Sequence, residues 1–265
     1  HWSQIRPRDA ALIEHETGTV VSWREFDRAV EAFAAKLLAC GLRKGDVVAT
    51  SLPFVKEHVF LTYACFRTGV IIAPLDLRLK AIEINDAFAR IRPKAYFCLG
   101  HTPRADFRPI VREVMDTNPD CRLWVQFQAE RDGVLPGAVH VRDFARDIKR
   151  RFIVSRLTGS VRRARRLVGR RDAALIIFTT GSTGTPKPAL LCHENILVQN
   201  IGQAVAFDTG PGDRMLVNMP PSHVGGQTEQ LMTSLYAGAS VVLLPVFDAR
   251  TSLEAIQRHR VTVCG

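Results

Sequence analysis

Short apolar runs and amphipathic stretches alternate along almost the whole chain. Ser22-Trp23-Arg24-Glu25 reads as a capping box, a hydroxyl and a carboxylate spaced to satisfy the free amides of a helix start. Behind it Phe26, Ala29, Val30, Phe33, Leu37 and Leu38 share one helical face, and Gly41 offers a left-handed C-terminal cap. Lys44-Gly45-Asp46 then turns the chain into a strand-length apolar run at 47–52. A second helix is expected from about 55 to 69, and Val70-Ile71-Ile72-Ala73 reads as a buried strand stopped by Pro74.

The same beat continues with helix 81–92 ended by Pro93, strand 95–99, helix 109–117 and strand 123–127. After a basic stretch come strand 174–178, a polar loop, strand 189–192, helix 194–206 and strand 215–218. Helix 227–236, strand 241–244, helix 252–259 and strand 261–264 complete the pattern. Strands apolar on both faces, alternating with helices, predict an α/β class: layered, mainly parallel sheets covered by helices. There is no internal repeat, and no low-complexity linker apart from the basic stretch.

Composition narrows the field. With 265 residues, 46% of them hydrophobic and 23% charged, the chain can bury a sizeable core, which argues against disorder. No apolar run approaches the roughly 20 residues that cross a bilayer, and HWSQIRPRDA lacks the layout of a secretion signal. Six scattered cysteines, with no C-x-x-C and no His at zinc spacing, predict neither a metal site nor a disulfide framework. A reduced, cytoplasmic compartment is the expectation. The start at His1 and the apolar run at the end make the chain read as a piece of something longer.

The net charge of +10 invites a nucleic-acid reading until it is located. Between Arg146 and Asp172, ten Arg and one Lys face Asp147 and Asp172, so this stretch carries +9 and the remainder only +1. Phe144, Ile148 and Phe152 recur there at helical spacing among Arg146, Lys149, Arg150 and Arg151, as in a basic amphipathic helix. Three readings stay open, in decreasing weight: a solvated or partly disordered surface insertion at about 146–172, peripheral contact with an anionic membrane, or an acidic partner or nucleic acid. Nucleic acid is disfavoured because no aromatics are interleaved for base stacking.

The decapeptide Phe-Thr-Thr-Gly-Ser-Thr-Gly-Thr-Pro-Lys at 178–187 leaves the end of a predicted buried strand, where ligands bind in such sheets. Gly181 and Gly184 let backbone amides approach a polyphosphate, Thr179, Thr180, Ser182, Thr183 and Thr185 add hydroxyls, and Lys187 follows Pro186 with a full positive charge. The bland alternative is a Ser/Thr/Gly turn. A Walker loop is excluded, since Lys187 lies between Pro186 and Pro188; G-x-G-x-x-G and G-x-S-x-G are absent as well.

FTTGSTGTPK resembles the phosphate-binding signature of the adenylate-forming superfamily of acyl-CoA synthetases, peptide-synthetase adenylation domains and luciferases, [YF]-T-S-G-[ST]-T-G-x-P-K-G. His193-Glu194-Asn195-Ile196 resembles the family's H-x-N-[IL], Gly41 to Asp46 its G-L-x-K-G-D turn, and Gly69 to Leu75 its G-x-x-x-x-P-L stretch. The likeness runs over essentially the whole chain and implies the N-terminal portion of an AMP-binding domain.

The resemblance also implies chemistry. The loop would hold the β- and γ-phosphates of ATP with Mg2+ while a carboxylate attacks the α-phosphorus, giving an acyl-adenylate and pyrophosphate. CoA would be the acceptor, and Lys187 the catalytic cation neutralising the leaving group. Rival readings are an adenylation enzyme that loads a carrier protein, and a non-catalytic fragment working through its Arg-rich segment. Pro188 stands where the family usually has Gly, which stiffens the loop's exit. The family's Tyr-Gly-x-Thr-Glu segment, nucleotide-binding Asp, hinge and C-terminal domain with its Lys are absent from these residues, so the fragment alone is expected to be inactive.

Pro220 to Gly226 resembles the segment beside the family's acyl pocket, which makes His223, Val224, Gly225 and Gly226 candidate substrate-binding residues. Without the resemblance, His223 would be read as a structural histidine. From Met215 to Phe247 the one acid is Glu229, and an amino-acid substrate would need a carboxylate to pair its ammonium. A fatty or aryl acid is therefore expected.

Overall fold

The computed structural model describes residues 1–179 and 186–265. In chain order the first elements are α1 (Trp2–Ile5), β1 (Ala10–Glu14), β2 (Val20–Ser22), α2 (Trp23–Ala39), β3 (Val47–Ser51), α3 (Lys56–Thr68) and β4 (Ile71–Pro74). Next come α4 (Ala81–Ile91), β5 (Ala95–Leu99), α5 (Arg108–Thr117), β6 (Leu123–Phe127) and β7 (Val139–His140). α6 (Val141–Ala145) leads into the basic stretch, which forms α7 (Ile148–Thr158) and α8 (Ser160–Arg166). Beyond it lie β8 (Ala173–Thr179), β9 (Lys187–Cys192), α9 (His193–Ala206), β10 (Arg214–Val217), a π-helix at Gly225–Thr233, α10 (Ser234–Ala237), β11 (Ser240–Leu243) and α11 (Ala249–His259). These divide into two compact units, Glu31–Leu52 with Ala64–Leu191, and His1–Val30 with Pro53–Tyr63 and Cys192–Gly265.

The first unit holds a seven-stranded sheet in the order β7-β6-β5-β3-β4-β8-β9. β3 pairs in parallel with β4 and β5, β5 with β6, β6 with β7 and β4 with β8. Every residue of β3 and β4 is buried, which is why their sequences lack the alternation of a half-exposed strand. α4 lays Ala81, Ile84, Ala87, Phe88 and Ile91 on this sheet, and Phe88 meets Tyr96 edge-on with ring centroids 5.2 Å apart. Tyr96 keeps its polar tip satisfied by donating to Ser51 Oγ at 2.6 Å. The family-like turn at 41–46 also ties the fold together, because Lys44 Nζ lies 2.6 Å from Asp172 and donates to the Leu167 carbonyl.

In the second unit the sheet order is β10-β11-β1-β2. β10 with β11 and β11 with β1 are parallel, and β1 with β2 is antiparallel. Glu14 at the end of β1 accepts the Lys56 amide at 3.0 Å and the Lys56 ammonium at 2.7 Å, so a strand carboxylate caps the start of α3. Burial alone would raise the Glu14 carboxyl, but these Lys56 contacts outweigh it and hold it below the usual carboxylate value.

Three of the expected elements take a different form. The expected amphipathic helix through Phe144, Ile148 and Phe152 is broken: Phe144 belongs to α6, ahead of the basic stretch, where it packs edge-on to Phe97 at 5.3 Å, while Ile148 and Phe152 belong to α7 and the stretch continues in α8. The break falls at Asp147, whose carboxylate is taken by Lys36 and by Arg151. The Lys36 contact holds its carboxyl down at about 2. Helix 227–236 is mostly π-helical, and strand 261–264 shrinks to one bridge between Val263 and Met215.

His15 follows β1 and meets His259 of α11, with Nδ1 and Nε2 3.1 Å apart. Burial lowers the His259 pKa from its ordinary 6.5, assisted by positive charge on His15, Arg258 and Arg214. Below that value the unfolded chain takes up a proton that the folded one refuses, so stability declines as pH falls. The thermal midpoint is expected to drop as pH falls below about 6.5, with buried His58, held down at about 4, contributing over the same range, and His259→Gln to lessen the drop. An equally steep drop in the variant would assign it to other groups.

Candidate active site

β8 carries Leu175, Ile176 and Ile177 through the buried middle of its sheet and surfaces at Thr179, which is exposed. The chain re-enters the sheet at Lys187, the first residue of β9, after an exposed Pro186. Thr179 Oγ1 donates to the Lys187 carbonyl at 3.4 Å, a long bond that joins the two stems of the candidate phosphate loop. The Lys187 side chain is exposed, and its ammonium makes no hydrogen bond or ion pair with the described residues. Thr180, Gly181, Ser182, Thr183, Gly184 and Thr185 lie outside the described residues.

Pro188 is accommodated because β9 is the edge strand, where a missing N–H costs no central ladder bond. The next family-like motif, His193 to Ile196, opens α9. Asn195 accepts the Cys192 amide at 3.0 Å, so the asparagine of H-x-N serves as a helix cap.

The acid-side candidates form one continuous turn in the other unit. His223 is exposed and accepts the Gly225 amide on Nδ1 at 3.0 Å. This bond sets the neutral tautomer and leaves the proton on Nε2, an available donor. Val224 is part-exposed, whereas Gly225 and Gly226 are buried at the head of the π-helix. Gly226 is required by close approach: a Cβ there would sit 2.6 Å from the Pro220 carbonyl oxygen and 2.8 Å from that of Met219. Glu229 is exposed on the same helix, so no carboxylate is buried in it.

Gln227 was invisible to sequence reasoning. It has 0% exposure, and neither atom of its amide has a hydrogen-bond partner among the described residues. An unmet buried polar group costs about 1–3 kcal/mol, and π-helical turns concentrate at functional sites. The Gly-Gly pair followed by Gln and Thr was the available signal, but helical periodicity does not separate π from α geometry.

A model of the AMP-binding enzyme family matches residues 1–265. The chain belongs to that family. This AMP-binding chain is 30% identical over 243 residues to the indoleacetate–CoA ligase of Aromatoleum aromaticum, covering 92% of itself and 44% of the ligase. Its fold superposes on the N-terminal domain of FACL13 from Mycobacterium tuberculosis with a TM-score of 0.80 at 23% identity, over 99% of this chain and 60% of that one. The O-succinylbenzoate coenzyme A synthetase of Bacillus subtilis, in complex with ATP and magnesium ion, gives 0.71 at 21% identity, over 99% and 60% respectively. These likenesses show the α/β architecture of acyl-CoA ligase N-terminal domains. The chain spans about half the length of the curated relatives it matches.

Proposed function

We propose that the intact protein activates a carboxylic acid, fatty or aryl, with ATP to an acyl-adenylate and then transfers the acyl group to CoA. The observation that carries this reading is the junction of β8 and β9, where a hydroxyl- and glycine-rich decapeptide leaves a buried strand and Lys187 stands exposed at its far stem. A carboxylate oxygen attacks the α-phosphorus, the bond to the β-phosphate oxygen breaks, and pyrophosphate leaves with the electron pair. Thr179 to Lys187 bind the β- and γ-phosphates, and the Lys187 ammonium offsets the charge gathering on the leaving group.

Among the described residues no group of three or more His, Cys, Asp or Glu is placed to hold a metal. In this reading a magnesium ion would be carried mainly by nucleotide phosphates and water, with hydroxyls of the Thr179–Lys187 segment as its protein ligands. When bound, the ion shields phosphate charge. The acid rests at His223 to Gly226, and the lack of a buried carboxylate there supports an acid without an ammonium group.

No helix among the described residues is long and apolar enough to cross a membrane. The reading places the protein in the cytoplasm, with peripheral membrane contact through the Arg-rich stretch. Incubating the full-length protein with ATP, a panel of fatty and aryl acids, and either free CoA or carrier protein tests the acceptor. Acyl-CoA from free CoA is the expected product; acylated carrier protein alone would overturn the CoA assignment.

A further inference from the structure

ATP-dependent acid activation makes no use of the basic stretch, yet the fold organises it with care. α7 turns Ser155 inward, where its Oγ receives the Val161 amide at 3.3 Å, and Ile148 and Phe152 lie part-buried on the same side. The opposite side carries Lys149, Ile153 and Leu157 at four-residue steps, with Arg150 and Val154 in the adjoining row and Arg156 on the flank. Leu157 is 82% exposed, Ile153 57% and Val154 44%. Three large aliphatic side chains on one outward face form a cluster, unlike the scattered exposed leucines of ordinary surfaces.

The charges are sorted as well. Both acids of the stretch are engaged, Asp147 by Lys36 and Arg151 and Asp172 by Lys44. Lys149, Arg150, Arg156, Arg162, Arg165 and Arg166 are exposed and make no ion pair with the described residues. Gly159, in the left-handed region at φ +67°, turns the chain into α8. There Val161 is buried while Arg162, Arg165 and Arg166 stay in solvent. The result is an aliphatic strip bordered by unneutralised cations.

We propose that the outward face of α7, together with the arginines of α8, docks on a membrane surface rich in anionic lipid. Ile153, Val154 and Leu157 enter the boundary between headgroups and acyl chains, and the flanking Lys and Arg heads contact lipid phosphates and carboxylates. Charge complementarity selects this occupant: a single aliphatic strip binds weakly, a basic patch adds a second signal, and stable peripheral binding takes both. A polynucleotide would satisfy the cations but leave the aliphatics in water, and the stretch has no exposed aromatic on which a base could stack.

The proposal is tested by co-sedimentation of the full-length protein with vesicles of phosphatidylcholine, alone or with about 30% phosphatidylserine. Binding is expected only with the anionic lipid and should weaken as salt is raised. Replacing Arg162→Gln, Arg165→Gln and Arg166→Gln together should lower the partition coefficient by roughly 100-fold. Ile153→Ser with Leu157→Ser should lower it by about tenfold or more. Neither set should change ATP–pyrophosphate exchange in solution, which confirms that the variants fold. Vesicle binding that ignores the aliphatic pair, equal binding to neutral vesicles, no vesicle binding, or a polynucleotide that displaces the vesicles would each overturn the proposal.

Discussion

Replacing Lys187 with alanine in the full-length protein is expected to lower carboxylate-dependent ATP–pyrophosphate exchange by roughly several tens-fold or more. The side chain is exposed at the first residue of β9, beside the stem bond from Thr179, and makes no ion pair with described residues. An ammonium that no described residue engages is available to a ligand's phosphates without breaking a described contact. Charge on the departing pyrophosphate grows toward the transition state, so a cation there stabilises that state more than the ground state and affects turnover more than affinity. The thermal midpoint of Lys187→Ala should stay within about 1 °C, since exposed substitutions change stability little. Unchanged exchange would remove the loop from the catalytic account.

Gly226→Ala carries the largest expected effect on stability. A Cβ at this position meets two backbone carbonyl oxygens, of Pro220 at 2.6 Å and of Met219 at 2.8 Å. Neither can rotate aside as a side chain would. The Met219 amide also donates to Gln230 Oε1 at 3.2 Å, so moving that segment disturbs the buried network inside the π-helix. A loss of about 2–3 kcal/mol follows from overpacking of this kind, or roughly a 5–10 °C fall in the thermal midpoint. Gly202 in α9 provides the control: its Cβ would meet nothing within 4 Å, so Gly202→Ala should be neutral or stabilising by about 0.5–1 kcal/mol. Differential scanning calorimetry of the two variants reads both. Equal midpoints would contradict the close packing at 219–226.

The helix opening at Trp23, the strands around 47–51, 71–74, 95–99 and 123–127 and the phosphate-loop strand were legible because local pattern and local chemistry agree there. The Ser22–Glu25 capping box is formed, the Glu25 carboxylate accepting the Ser22 amide at 2.8 Å. β1 and β2 went unnoticed, although β1 is almost entirely buried. Five residues carry too little periodicity, and β1 becomes a strand by pairing with β11 more than two hundred residues later. On the acid side, His223 was found through its neighbours Pro220 to Gly226, while Gln227 was passed over. An amide buried without a partner among the described residues is a property of what surrounds it, which the Gly-Gly-Gln-Thr run alone does not report.

The α/β class, the hydroxyl- and glycine-rich loop with its lysine, and the confinement of nearly all excess charge to 146–172 are legible along the chain alone. Each depends on residue type and spacing along the chain, which side-chain period and covalent order report directly. Which charges in that stretch are neutralised depends on folding, since Lys36 and Lys44, which pair with Asp147 and Asp172, lie more than one hundred residues away. It also split the basic stretch between α7 and α8 and aimed Ile153 and Leu157 outward. Burial and pairing are set by which distant elements come together, and no local window of sequence contains them.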